Sequence, residues 1–199
     1  MRKNKRLRAA LLICGGVILA AVLIVVLLNL LLPEDTPAQP PENAASFTFY
    51  PPYDGDIRIY DGYLDLNRQF IYCDRNYGTE EAMLPEEIEA NPEWRALQRY
   101  FDCLIDGDPD GLRALLTEEA LKRITVPDFA QQMIYELRVT RIGETQEGGA
   151  LRVTYRLAYS IFRNNGTYRR DVGSDSPRPE YLTLTQEENG EFRISDIQR

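Results

Sequence analysis

The sequence predicts an α+β domain, helices packed on a curved antiparallel sheet, carried behind a single N-terminal transmembrane helix. Three observations predict it: an uncharged run of 24 residues at positions 9–32, helically spaced apolar residues from Trp94 to Ile105, and apolar/polar alternation across residues 151–162. A chain of 199 residues, 44% apolar, accommodates one such domain with short appendages. It contains no His, which excludes Ser-His-Asp and Cys-His triads, His-ligated zinc and an imidazole proton shuttle.

Residues 1–8 form a basic tail with Arg2, Lys3, Lys5, Arg6 and Arg8. The run that follows reaches ~36 Å as a helix, enough to cross a ~30 Å hydrocarbon layer. A cleaved signal peptide has an apolar stretch of only about 7–15 residues, so the run reads as an uncleaved signal-anchor. Bulky Ile13 argues against lipoprotein processing at Cys14, which reads as a membrane-buried residue. By the positive-inside rule the N-terminus is cytoplasmic and residues 33–199 are extracytoplasmic, at the cell membrane. That portion holds 18 basic and 31 acidic residues, a net charge of −13. Such an acidic exterior is unsuited to nucleic acid or anionic headgroups.

Residues 33–45, PEDTPAQPPENAA, hold four prolines and no large apolar side chain, the composition of a semi-rigid stalk. Residues 46–90 read as an extended wrapping segment, because Tyr, Phe and Ile favour a pleated surface while Pro51, Pro52, Gly55 and Gly62 interrupt helical periodicity. Its acids Asp54, Asp56, Asp61 and Asp65 lack the spacing and terminal bidentate Glu of a calcium loop. They read as turn formers, and neither a metal nor a cofactor is expected.

Asn91 is a good N-cap, with Pro92 in the first turn and Glu93 at the positive end of the helix dipole. The helix should end near Gly107, with Trp94, Leu97, Phe101, Leu104 and Ile105 facing the core. Asp108 and Thr117 then cap two short helices, and Pro127 opens a fourth short turn through Met133. Strands follow at about 134–142 and at 151–162, joined through Gly148-Gly149. Asn165-Gly166 predicts a tight type I′ hairpin, and strands at about 181–185 and 192–197 join at Asn189-Gly190.

A long helix ending in Asp106-Gly107-Asp108-Pro109-Asp110-Gly111-Leu112, then short helices and long strands, resembles the NTF2-like (cystatin-like) superfamily over about residues 90–199. The resemblance implies a sheet wrapping a helix into an open cone. The whole chain also resembles uncharacterised single-pass exported proteins of Gram-positive bacteria. The superfamily includes isomerases and dehydratases as well as non-catalytic modules, so the fold does not select the function. An isomerase-type pocket needs a carboxylate base and a Tyr or protonated acid donor in an apolar cavity. Tyr155 and Tyr159 are its candidate pocket residues, with packing in the core as the alternative, and no catalytic residue is assigned.

The stretch around Asn165 exceeds packing needs. Arg163, Asn164, Asn165, Arg169, Arg170 and Arg178 are candidate binding residues for an anionic envelope protein or cell-wall ligand, since guanidinium forks pair with carboxylates and phosphates. The alternative is internal pairing with Asp171 and Asp175. Cys73 and Cys103 are candidates for a disulfide stapling the wrapping segment to the outer face of the helix, the alternative being two reduced thiols. Two functions remain open. One is a non-catalytic binding or assembly module, similar to the VirB8-like components of envelope complexes and with self-association open to it. The other is a cone-pocket isomerase or hydrolase acting on a small ligand.

Overall fold

The computed structural model describes residues 47–75 and 78–199. The expected basic tail, membrane helix and stalk lie outside these residues. Among the described residues, no helix is long and apolar enough to cross a membrane.

The architecture is α+β, with a six-stranded mixed sheet. After a 3₁₀ turn at Ile57–Ile59 come α1 (Asp61–Leu64), β1 (Phe70–Cys73), β2 (Glu80–Ala82) and α2 (Pro85–Ala90). Next come α3 (Pro92–Asp106), α4 (Pro109–Leu115), α5 (Glu118–Arg123), β3 (Met133–Glu147), β4 (Ala150–Phe162), β5 (Glu180–Gln186) and β6 (Phe192–Gln198). The strand order is β2-β1-β3-β4-β5-β6. The alternating strands predict a wholly antiparallel sheet, but the sheet is mixed, because β1 pairs parallel with β3 at Phe70↔Leu137. Helices α2 to α5 supply the long connection that a parallel pair requires. The segment before α3 therefore contributes two strands and two short helices as well as extended chain.

The capping grammar is realised at the expected residues. Asn91 Oδ1 accepts from the Glu93 and Trp94 amides at 2.9 and 3.3 Å. At the other end Gly107 is left-handed at φ +66°, and the Asp108 amide returns to the Cys103 carbonyl at 2.9 Å. This is a Schellman ending, whose left-handed residue is most readily a glycine. A Cβ there would also lie 2.6 Å from the Gln131 backbone nitrogen, where the chain enters β3.

Gly148 and Gly149, at φ +61° and +87°, join β3 to β4, and Gly190, at φ +84°, helps turn β5 into β6. Asn165-Gly166 does not make a tight hairpin. Gly166 has φ +68°, but Asn165 lacks the positive φ that a type I′ turn requires. Asn164 Oδ1 instead binds the Gly166 amide and Asn165 Oδ1 the Thr167 amide, two successive Asx turns. A loop of residues 163–179 separates β4 from β5. The fourth short helical turn is also absent, and residues 125–132 lead irregularly into β3.

The buried face of α3 consists of Ala96, Leu97, Tyr100, Phe101 and Leu104, with Trp94 and Ile105 at its margins. It packs against the inward residues of the sheet, including Val153, Tyr155, Leu157, Tyr159, Leu182 and Leu184. Phe101 meets Tyr159 edge-on with centroids 5.7 Å apart. Register shifts at Tyr135/Arg138 and Arg141/Gly143 interrupt the pairing of β3 with β4, and such bulges bend a strand. A smaller cluster of Ile57, Tyr63 and Met133 holds the chain before β1, fastened by Tyr63 Oη donating to the Ile134 carbonyl at 2.7 Å.

Candidate functional site

Four elements converge on one buried carboxylate. Tyr100 reaches it from α3, Tyr159 from β4, Arg169 from the 163–179 loop, and Glu180 itself opens β5. Glu180 is 0% exposed. Its Oε2 accepts from Tyr100 Oη at 2.6 Å and Tyr159 Oη at 2.9 Å, while Oε1 accepts from Arg199 Nε at 2.7 Å. With the Tyr100 proton committed to Glu180, Tyr168 Oη donates to Tyr100 Oη across 2.7 Å. Arg169, 1% exposed, forks onto both oxygens of Asp171 at 2.7 and 2.8 Å and donates to Tyr159 Oη at 3.2 Å. The Arg199 guanidinium lies 4.4 Å from the Tyr168 ring centroid.

Burial, reinforced by Glu180, raises the phenol pKa of Tyr100 and Tyr159 well above the usual value. Both stay neutral donors. Burial opposes the charge of Asp171, yet the Arg169 bonds outweigh it and hold the carboxyl below its ordinary range. Isolated buried charges are costly, and here each is matched by opposite charge and hydrogen bonds.

A second pair lies along the same strand. Tyr155 Oη donates to Glu93 Oε2, and Glu93 Oε1 faces Arg141 Nη2 at 3.3 Å. Burial followed by the Glu93 bond raises the Tyr155 pKa. Both candidate pocket tyrosines thus meet a carboxylate, the pairing an isomerase would use. Neither lines the recesses of about 110 Å³ at Arg163, about 460 Å³ at Arg123 and Arg152, about 390 Å³ at Glu187 and Arg193, or about 150 Å³ at Arg99 and Phe192 among the described residues.

The structure divides the six candidate binding residues. Asn164 and Arg169, expected at a docking surface, turn inward. Asn164 Nδ2 donates to the Arg169 and Val172 carbonyls, both at 2.9 Å, because the loop needs a polar centre to fold around. Asn165 is half-buried and binds the Gln131 carbonyl through Nδ2 at 2.9 Å. Arg163 is half-buried, with Nη1 donating to Tyr60 Oη at 2.8 Å and the guanidinium 4.9 Å from the Tyr50 ring centroid. Arg170 and Arg178 are exposed, and Arg178 reaches Asp171 Oδ2 at 3.4 Å.

Cys73 and Cys103 are free thiols in separate surroundings. Cys73 lies beside Thr140 and Glu80, whereas Cys103 Sγ sits beside Gly111 and packs on the core. The inclusion of Ala96 and Tyr100 widens the buried stripe, so Cys103 lies only about 20° from its edge at Ala96 rather than on the outer face. Among the described residues, no three His, Cys, Asp or Glu side chains converge as a metal site. Asp56 caps the Arg58 amide at 2.9 Å, and Asp61 starts α1.

Sequence reasoning missed Glu180, Tyr100, Glu93 and Arg199. A signal existed for two of them: Glu180 shares the inward parity of Leu182 and Leu184, and Tyr100 stands three residues beyond Leu97. Their meeting had no local signal. No protein-family model matches the chain, and no curated protein matches it.

Proposed function

We propose that this protein is a membrane-anchored, extracytoplasmic NTF2-like domain that serves as a non-catalytic docking module, binding an acidic segment of an envelope protein through its 163–179 loop. The uncharged run at 9–32 behind five basic residues supports the anchor and its orientation. A long helix followed by short helices and four consecutive antiparallel strands supports the NTF2-like reading.

The observation that carries docking over catalysis is the commitment of Glu180. Its two oxygens receive two phenols and one guanidinium, with Arg169 Nη1 at 3.9 Å besides. A general base must keep a lone pair facing substrate. Arg170 and Arg178 meanwhile stand exposed on an acidic domain, where they favour carboxylate partners and guide encounter.

A photo-crosslinking residue at Arg170 in intact cells tests this reading. Capture of one defined envelope protein, diminished by charge reversal at Arg178, is the expected result. Absence of any adduct, or protection of the domain from protease added to intact cells, overturns it.

A further inference from the structure

The recess at Arg163 lies outside the buried network and carries its own chemistry. Its walls include Pro52, Met133 and Ile161, and its polar lining includes Arg163, Asp54 and Gln132. At about 110 Å³ it holds three to four water volumes, room for about six non-hydrogen atoms.

Three of its groups are not explained by folding alone. Gln132 is 0% exposed, and its Nε2 faces three acceptors: the Ala130 carbonyl at 2.6 Å, Asn165 Oδ1 at 2.9 Å and Thr167 Oγ1 at 3.1 Å. That fixes the amide orientation and leaves Oε1 buried without a hydrogen-bond partner. An orphaned buried acceptor is costly, and it lies in the wall of this recess rather than in the main core.

Arg163 is the second. It stands at φ +50°, a left-handed conformation that arginine adopts only against strain. Two tyrosine rings hold its guanidinium, with centroids at 4.9 and 5.8 Å, yet it forms no ion pair among the described residues. The planar fork is therefore preorganised and still has N–H groups for a carboxylate. Asp54, the third, is exposed and likewise has no ion-pair partner among the described residues.

A guanidinium and a carboxylate, each without an ion-pair partner among the described residues, around a small, partly apolar space match a small zwitterion. We propose that the recess binds a small α-amino acid, its carboxylate on Arg163 and its ammonium taken by Asp54. The assignment is independent of the docking reading, since a failure of crosslinking at Arg170 leaves this recess intact.

Titration calorimetry of the full chain with L-alanine, acetate and methylammonium tests it. Alanine should bind with a dissociation constant of about 0.1–1 mM, at least about tenfold tighter than either fragment. Asp54→Asn should weaken alanine about tenfold and leave acetate unchanged, while Arg163→Gln should weaken both about tenfold. Because Asp54 is exposed, its variant keeps the test valid if Arg163→Gln disturbs the loop. Alanine failing to saturate by about 10 mM, acetate binding as tightly as alanine, or indifference to Asp54→Asn each overturns the proposal.

Discussion

Glu180 illustrates why a buried carboxylate and its partners rise or fall together. It tolerates complete burial because two phenols and Arg199 saturate it, and the two arginines beside it depend on its charge in return. Removing one member of such a group leaves the others desolvated and unmatched. Glu180→Ala should therefore destabilise the fold by about 3–5 kcal/mol. Tyr159→Phe removes one hydrogen bond and should lose about 1–2 kcal/mol. Urea unfolding followed by the single tryptophan, Trp94, which packs 5.7 Å from the Tyr72 ring, measures both. Equal losses in the two variants would show that the charge has no special weight.

The 163–179 loop is the element on which both functional proposals depend, and the chain preceding the 3₁₀ turn straps it down. The Tyr50 amide donates to the Asn164 carbonyl at 3.0 Å, and the rings of Phe49 and Phe47 lie over Gly166 and Gly173. A Cβ on Gly166 would stand 2.6 Å from Phe49 Cγ, at a φ of +68° that itself disfavours a side chain. Gly166→Ala should destabilise the protein by about 1–3 kcal/mol, judged by the same tryptophan signal. Adding Phe49→Ala should recover the steric part alone. Full recovery, or none, would refute the strap.

For the whole molecule, stability should fall at both ends of the pH scale. On the acid side, Asp171 is held below its ordinary range by Arg169. Its contribution is present above the unfolded value of about 4 and disappears as pH falls through the folded value. Asp102 acts in the opposite sense, since burial raises its pKa and protonation relieves the cost. On the alkaline side, burial pushes Cys103 from 9.0 to about 11 and Tyr63 from 10.0 to about 12. Above pH 9 the unfolded chain ionises first, so stability is lost progressively through this window. Urea midpoints measured from pH 8 to 11 should decline, and Cys103→Ser should remove the earlier part of the decline. A flat profile would contradict the burial of these groups.

The sequence by itself determined what short-range chemistry controls. It determined the capped helix from Asn91 to Gly107, the alternating strand across 151–162 and the turns at Gly148-Gly149 and Asn189-Gly190, because caps, periodicity and left-handed glycines act within a few residues. Only the tertiary structure decided that β1 lies parallel to β3 and that Asn165-Gly166 belongs to a long loop. It also turned Arg169 inward while Arg170 stayed exposed, left Cys73 and Cys103 as free thiols, and brought Glu180 to Tyr100. Each of these outcomes depends on which distant partner desolvates a group and which matches its charge, and no local residue pattern encodes that choice.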